Sequence, residues 1–190
     1  MTSPPTFTIT VDVDTLMTEF IPKLAGQFMA LQNTAEQLEG TSLTLTVDIS
    51  GSRYSYSITD GRDFEASRGE LDNPMVFLSI PLESLARLAD MKNIDMLLGM
   101  RNQLTREKHA ILSGLKGTCK YIITHPDGEE TTITAVFKGA DTPAATFKLA
   151  LEDARDLTAR RESPIQLFMN GKLQIDGEMA FAMTLQPLFS

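Results

Sequence analysis

Between Ser42 and Ile58 the chain repeats with a period of two, and that period limits the architecture it can adopt. Leu43, Leu45, Val47 and Ile49 alternate with Thr44, Thr46 and Asp48, and Tyr54, Tyr56 and Ile58 then alternate with serines. Successive side chains of a strand point to opposite faces, so these residues predict half-buried strands in a sheet covered on one side. Ser50-Gly51-Ser52 and Asp60-Gly61 supply turns, and Phe64 and Ala66 a third strand, which together predict an antiparallel meander.

The cover for that sheet is visible upstream. Leu16, Phe20, Leu24, Phe28, Leu31, Ala35 and Leu38 recur at steps of three or four, the spacing of one helical face. Asp12 or Asp14 can cap this helical region, Pro22 should kink or restart it, and Gly40 ends it. After the break at Asp72-Asn73-Pro74, Met75 to Ile80 is apolar at nearly every position, which predicts a strand covered on both faces. Pro81 then opens a helix whose inner face carries Leu82, Leu85, Ala86, Leu88 and Ala89, and Asn93 to Leu115 reads as mostly helical with an interruption near Gly99.

A second pass follows. Gly117-Thr118 and the alternating Cys119, Tyr121 and Ile123 echo Gly40-Thr41 followed by Leu43, Leu45 and Val47. Asp72-Asn73-Pro74, an apolar strand and Leu82-Glu83 return as Asp141-Thr142-Pro143, a strand around Phe147 and Leu149, and Leu151-Glu152. The division expected is residues 1–116 as a first partial copy and 117–190 as a second, lacking one hairpin strand, with both sharing one core.

The C-terminal segment is the most informative. Ser163-Pro164 opens a short helix, Gly171 closes it, and Leu173 and Ile175 point one way along a strand before Gly177. In the last helix Met179, Phe181, Ala182, Met183, Leu185, Leu188 and Phe189 occupy more than one side, so it cannot rest on a sheet with its other face simply in water. Phe168, Met169, Met179, Phe181 and Met183 are each ordinary core residues. As a group they suit a cavity that admits variable apolar ligands.

With 190 residues, 42% hydrophobic and 22% charged, the chain can build one large core without a disulfide or metal staple. A net charge of −8 with no basic stripe excludes nucleic acid as an expected partner. The single cysteine, Cys119, and an N-terminus without the pattern of a secretion signal lead to the expectation of a cytoplasmic protein. Catalytic raw material is thin: His125 precedes Pro126-Asp127-Gly128 and is expected as a surface imidazole in a hairpin turn, while Cys119 reads as a small buried hydrophobe. No phosphate loop, metal-ligand spacing or nucleophile elbow is present, so neither catalytic residues, metal nor cofactor are expected. Arg101, Arg106, Lys108, Lys116 and Lys120 form a loosely basic region that reads as a solvated helix face, with an anionic head group or bilayer as the sharper alternative.

Pro164 to Met179, with Gly171-Lys172-Leu173, Ile175 and Gly177 leading into the last helix, resembles the closing motif of the sterol carrier protein lipid-transfer family. Asp141 to Leu157 is similar to the family's Asp-led strand and Glu-containing helix, and Leu16 to Leu88 to its N-terminal helices, meander and first crossover. The resemblance implies an α+β fold with a mixed, mostly antiparallel sheet, helices on one face and an apolar cavity under the C-terminal helix. It implies non-catalytic binding and transfer of a fatty acyl, sterol or isoprenoid lipid. The alternative is an interaction or dimerisation module of the same fold. Lipid-contacting residues are then expected at Phe147, Leu167, Phe168, Met169, Leu173, Ile175, Met179, Phe181, Ala182, Met183 and Leu185. Transient membrane contact, a homodimer or an enzyme partner are the further associations in keeping with it. The chain departs from the family by exceeding one unit in length and by lacking a Gly-Lys-Leu strand in its first copy.

Overall fold

In the computed structural model, which describes residues 12–32, 34–88 and 105–189, Asp12 caps the first helical turn by accepting the Thr15 N–H at 3.3 Å. Helix α1 (Val13–Thr15) runs into a π-helical turn (Leu16–Phe20), then α2 (Ile21–Gln32) and α3 (Thr34–Gln37). Pro22 thus falls in the first turn of α2, where the α-helix restarts as expected, and the widened turn before it absorbs the missing donor. The Ile21 N–H bonds Leu16 and Pro22 has none, so the Met17 carbonyl is left to accept the Tyr56 hydroxyl at 2.7 Å. The extra residue in that turn also rotates the helical face, and Phe20, expected inside, is 53% exposed.

The alternating segments form the expected meander of β1 (Ser42–Ile49), β2 (Ser52–Thr59) and β3 (Asp63–Arg68), each antiparallel to the one before. Strand β4 (Val76–Ile80) lies parallel to β1 on its other side, with Val47 opposite Leu78. The connection to it crosses the outer face of β2 and β1, held there by hydroxyls. Ser55 donates to the Gly69 carbonyl, while Thr46 and Thr44 accept the N–H groups of Leu71 and Met75. Helix α4 (Leu82–Leu88) follows directly.

Strand β4 differs from expectation. Its apolar run is not explained by helices on both faces: Val76, Leu78 and Ile80 share the helix-covered side with β1 residues Leu45, Val47 and Ile49, whereas Phe77 faces the other side, under the Arg53 guanidinium at 5.7 Å from its ring centroid. Of the long helical region expected up to Leu115, α5 (Arg106–Gly114) is described, while Asn93 to Leu104 and the interruption near Gly99 lie outside the described residues.

The second half repeats the connectivity. Strands β5 (Gly117–Thr124) and β6 (Glu130–Phe137) form a hairpin, β7 (Ala144–Ala150) returns parallel to β5, and α6 (Leu151–Thr158) follows at once. Helix α7 (Pro164–Met169), β8 (Gln174–Gly177), α8 (Met179–Leu185) and a 3-10 turn (Gln186–Phe189) complete the chain. The halves meet edge to edge where β4 pairs antiparallel with β6, Val76 opposite Phe137, giving a single eight-stranded sheet in the order β3-β2-β1-β4-β6-β5-β7-β8. This is a mixed, mostly antiparallel α+β architecture. One apolar cluster lies under the N-terminal helical region around Met17, Val47 and Tyr54, and a larger one around Cys119, Phe147, Leu167 and Leu185.

His125 is not the surface imidazole its turn context predicts. It is 8% exposed, with Nε2 at 2.7 Å from the Thr131 hydroxyl, because the hairpin folds the ring back over the buried Thr131.

Candidate functional site

The site begins with the register between β5 and β7. Tyr121 and Phe147 are direct neighbours on the helix-covered face, and their rings stack at 5.2 Å between centroids and 13° between planes. Leu149 continues that floor, and Ile175 of β8 lies opposite Phe147.

Three helices wall the floor. Leu157 comes from α6, where Leu151, Ala154 and Leu157 form the buried stripe. Helix α7 adds Pro164, Ile165 and Phe168, and starts where it does because Ser163 and Gln166 form a reciprocal capping box with Pro164 in the first turn. It ends at Gly171, whose φ of +71° lets the Lys172 N–H return to the Leu167 carbonyl at 2.9 Å. That turn throws Leu173 and Ile175 back under the helix. Helix α8 then closes the far side with Met179, Ala182 and Met183, and Gln186 follows in the 3-10 turn.

The resulting pocket has a volume of about 220 Å³ and walls of apolar side chains, with Gln186 and the Tyr121 phenol as its polar members. Burial pushes the Tyr121 phenol well above its ordinary value, and neighbouring Cys119 adds to the shift. The Cys119 thiol is pushed up to about 12, mainly by burial. With no carboxylate, lysine or histidine among the described wall residues, these walls offer no group poised to exchange a proton near neutrality. Among the described residues no group of three His, Cys, Asp or Glu is placed to hold a metal, and no helix is long and apolar enough to cross a membrane. What this arrangement can do is remove an apolar body from water.

Of the residues expected from the sequence, Phe147, Phe168, Leu173, Ile175, Met179, Ala182 and Met183 come together on these walls. Leu167, Phe181 and Leu185 do not line the pocket. They are 0%, 6% and 1% exposed and belong to the packed core, Phe181 standing edge-on to Phe137 with centroids 6.5 Å apart. Met169 is 77% exposed and is not among the wall residues. Sequence reasoning missed Tyr121, Leu149, Leu157, Pro164, Ile165 and Gln186 as wall residues. The inward alternation of β5 and β7 had already placed Tyr121 and Leu149 on the correct face, without indicating what lay above them.

Residues 100–190 match the model of the SCP-2 sterol transfer family. That segment, just under half of the chain, is similar to this family. The sterol carrier protein domain 2 of Helicoverpa armigera, solved in solution, is 24% identical over 50% of this chain and 82% of its own, with a TM-score of 0.39. A structure described as the UbiJ-SCP2 ubiquinone synthesis protein is 11% identical, covering 94% of this chain and 96% of its own, with a TM-score of 0.31. Sterol Carrier Protein 2 of Yarrowia lipolytica, in its apo form, is 13% identical over 95% of each chain, with a TM-score of 0.25. Superpositions this loose support no transfer of residue roles. No curated protein matches the chain. The matched segment contains every described wall residue of the pocket, from Tyr121 to Gln186.

Proposed function

We propose that this protein binds and transfers a lipid of fatty acyl, sterol or isoprenoid type without catalysing a reaction on it, and that the ligand's apolar body occupies the pocket between β5, β7 and helices α6 to α8. The observation that carries this reading is a preformed 220 Å³ pocket with walls of apolar side chains in the segment matching a sterol transfer family. A cavity of about 150 Å³ lined by aliphatic side chains accepts a benzene-sized guest. Here the space suits a ring or a stretch of alkyl chain, each buried CH₂ contributing about 0.8 kcal/mol.

Affinity on these terms follows area, and selectivity between ligands differing by one methylene is weak. Tyr121, Phe147, Leu149, Phe168, Met179 and Met183 are the contacts we assign to the ligand, the methionines adapting to its outline. The single thiol, buried and held protonated, is in keeping with a cytoplasmic setting. The test is native mass spectrometry and lipid extraction on protein purified without detergent, followed by displacement of a fluorescent fatty acid. Co-purified or displaceable lipid supports the reading. Empty protein that takes up no lipid, recovered as a dimer or with a protein partner, replaces it with an interaction module.

A further inference from the structure

We propose that the protein exchanges its ligand while docked on an uncharged lipid bilayer, through the rim that α7 and α8 build around the pocket mouth; this rests on the lipid-pocket reading above. The first support is charge. Residues 163–171 and 179–189 contain no Asp, Glu, Lys, Arg or His, in a chain whose charged fraction is 22%. The second is exposure: among the described residues, five of seven exposed large hydrophobics are Ile165, Phe168, Met169, Met179 and Met183, at 50%, 43%, 77%, 45% and 50%. Single exposed apolar residues are ordinary, but a cluster on two adjoining elements marks a contact surface.

The rim and the pocket share residues. Ile165, Phe168, Met179 and Met183 are both exposed and part of the wall, so the cavity opens within the apolar patch. Size points the same way. At 220 Å³ the pocket lies below the roughly 300–1,000 Å³ of sites that enclose a drug-sized ligand, so a long lipid leaves part of its body outside. A bilayer supplies the apolar surroundings that this remainder needs. Charge complementarity selects the kind of bilayer, since a protein of net charge −8 is repelled by an anionic surface and not by a neutral one.

The experiment is flotation of the full chain with palmitoyl-oleoyl phosphatidylcholine vesicles, comparing wild type, Met169→Asp and Met169→Leu. Met169 is the most exposed rim residue and is not part of the pocket wall, so the substitution leaves the pocket intact. Uptake of a soluble fluorescent medium-chain fatty acid, measured without vesicles, reports on the pocket separately. Wild type and Met169→Leu should float, Met169→Asp should bind at least about tenfold less, and all three should take up the probe equally. Wild type that stays in solution, or Met169→Asp that floats equally, overturns the docking surface. Flotation that requires phosphatidylglycerol and disappears at high salt assigns docking to basic side chains instead. A wild-type dimer that Met169→Asp separates, with no flotation, assigns the patch to a second copy of the chain. Failure to take up the probe overturns the pocket reading, and ligand exchange with it, whatever the flotation shows.

Discussion

Lys172 Nζ lies 3.1 Å from Asp153 Oδ1. The same ammonium is 3.1 Å from Glu162 Oε1, so one side chain from the Gly171-Lys172-Leu173 turn joins α6 to the segment that leads into α7. Both carboxylates, Asp153 first, raise the Lys172 pKa, and the second oxygen of Glu162 is buried without a hydrogen-bond partner. The bridge ties together the pieces that carry Leu157, Pro164 and Leu173 into the pocket wall. Replacing Lys172 with Met should leave the fold intact, because partly exposed ion pairs contribute little to stability. It should still release the fluorescent fatty acid a few-fold faster in stopped-flow displacement. An unchanged off-rate would make the bridge a surface ornament.

Phe181 and Met183 sit two residues apart on α8 and should respond in opposite ways. Phe181→Ala empties a packed core position and should cost about 3–5 kcal/mol in urea unfolding. Met183 is half exposed at the pocket mouth, so Met183→Ala should change stability by less than about 0.5 kcal/mol while weakening ligand binding. The two measurements on the two variants separate core from wall.

Gly177 ends β8 with φ at +94°, and a Cβ there would meet the Ala144 carbonyl oxygen at 2.5 Å. Gly177→Ala therefore combines an unfavourable backbone with a collision against β7, an element that cannot give way without breaking its pairing. We expect a loss of about 2 kcal/mol or more by denaturant unfolding. Alanine at Gly128, also at positive φ but with open space around it, should cost less.

Cys119 is fully buried and its thiol holds its proton to about 12, against an ordinary value of 9.0. The folded chain should therefore resist an aromatic disulfide reagent at pH 8 and react only on unfolding. The linkage has a definite sign. The unfolded thiol ionises first, so this contribution to stability is complete below about pH 9 and is lost between there and about pH 12. Cys119→Ala should show a shallower fall in urea midpoint across that range than wild type.

The two halves should not fold apart. Residues Val76 to Ser79 pair with Phe137 to Thr134, and α5, which His109 and Arg106 fasten to Ser42 and Glu39 of the first half, reaches the second through Lys108 Nζ donating to the Leu188 carbonyl at 3.3 Å. Expressed separately, Met1–Gly114 and Leu115–Ser190 should lack the single cooperative unfolding transition expected of the whole chain. Two cooperative fragments would show that each half has its own core.

Local features of the chain were legible because local physics sets them. Alternation from Leu43 to Ile58 and from Cys119 to Ile123 determined which side chains face the helices, and the Ser163, Pro164 and Gly171 signals marked the ends of α7. The apolar character of the last helix likewise announced that more than one of its sides would be occupied. Only the tertiary structure decided which apolar residue lines the pocket and which fills the core. Leu167 and Phe168 are adjacent, yet one is sealed under α7 and the other opens on the cavity, because the helix is fixed at its angle by its cap, by the turn at Gly171 and by the Lys172 bridge. Tyr121 and Leu149 joined the site only when β5 and β7 lay side by side beneath segments up to sixty-five residues later in the chain, as far as Gln186. The π-helical turn that frees the Met17 carbonyl for Tyr56 of a distant strand shifted the face of the first helical region in a way no helical period records. Periodicity fixes the direction of a side chain relative to its own element; whether that direction ends in core, cavity or solvent depends on the element packed opposite, and only the assembled chain supplies it.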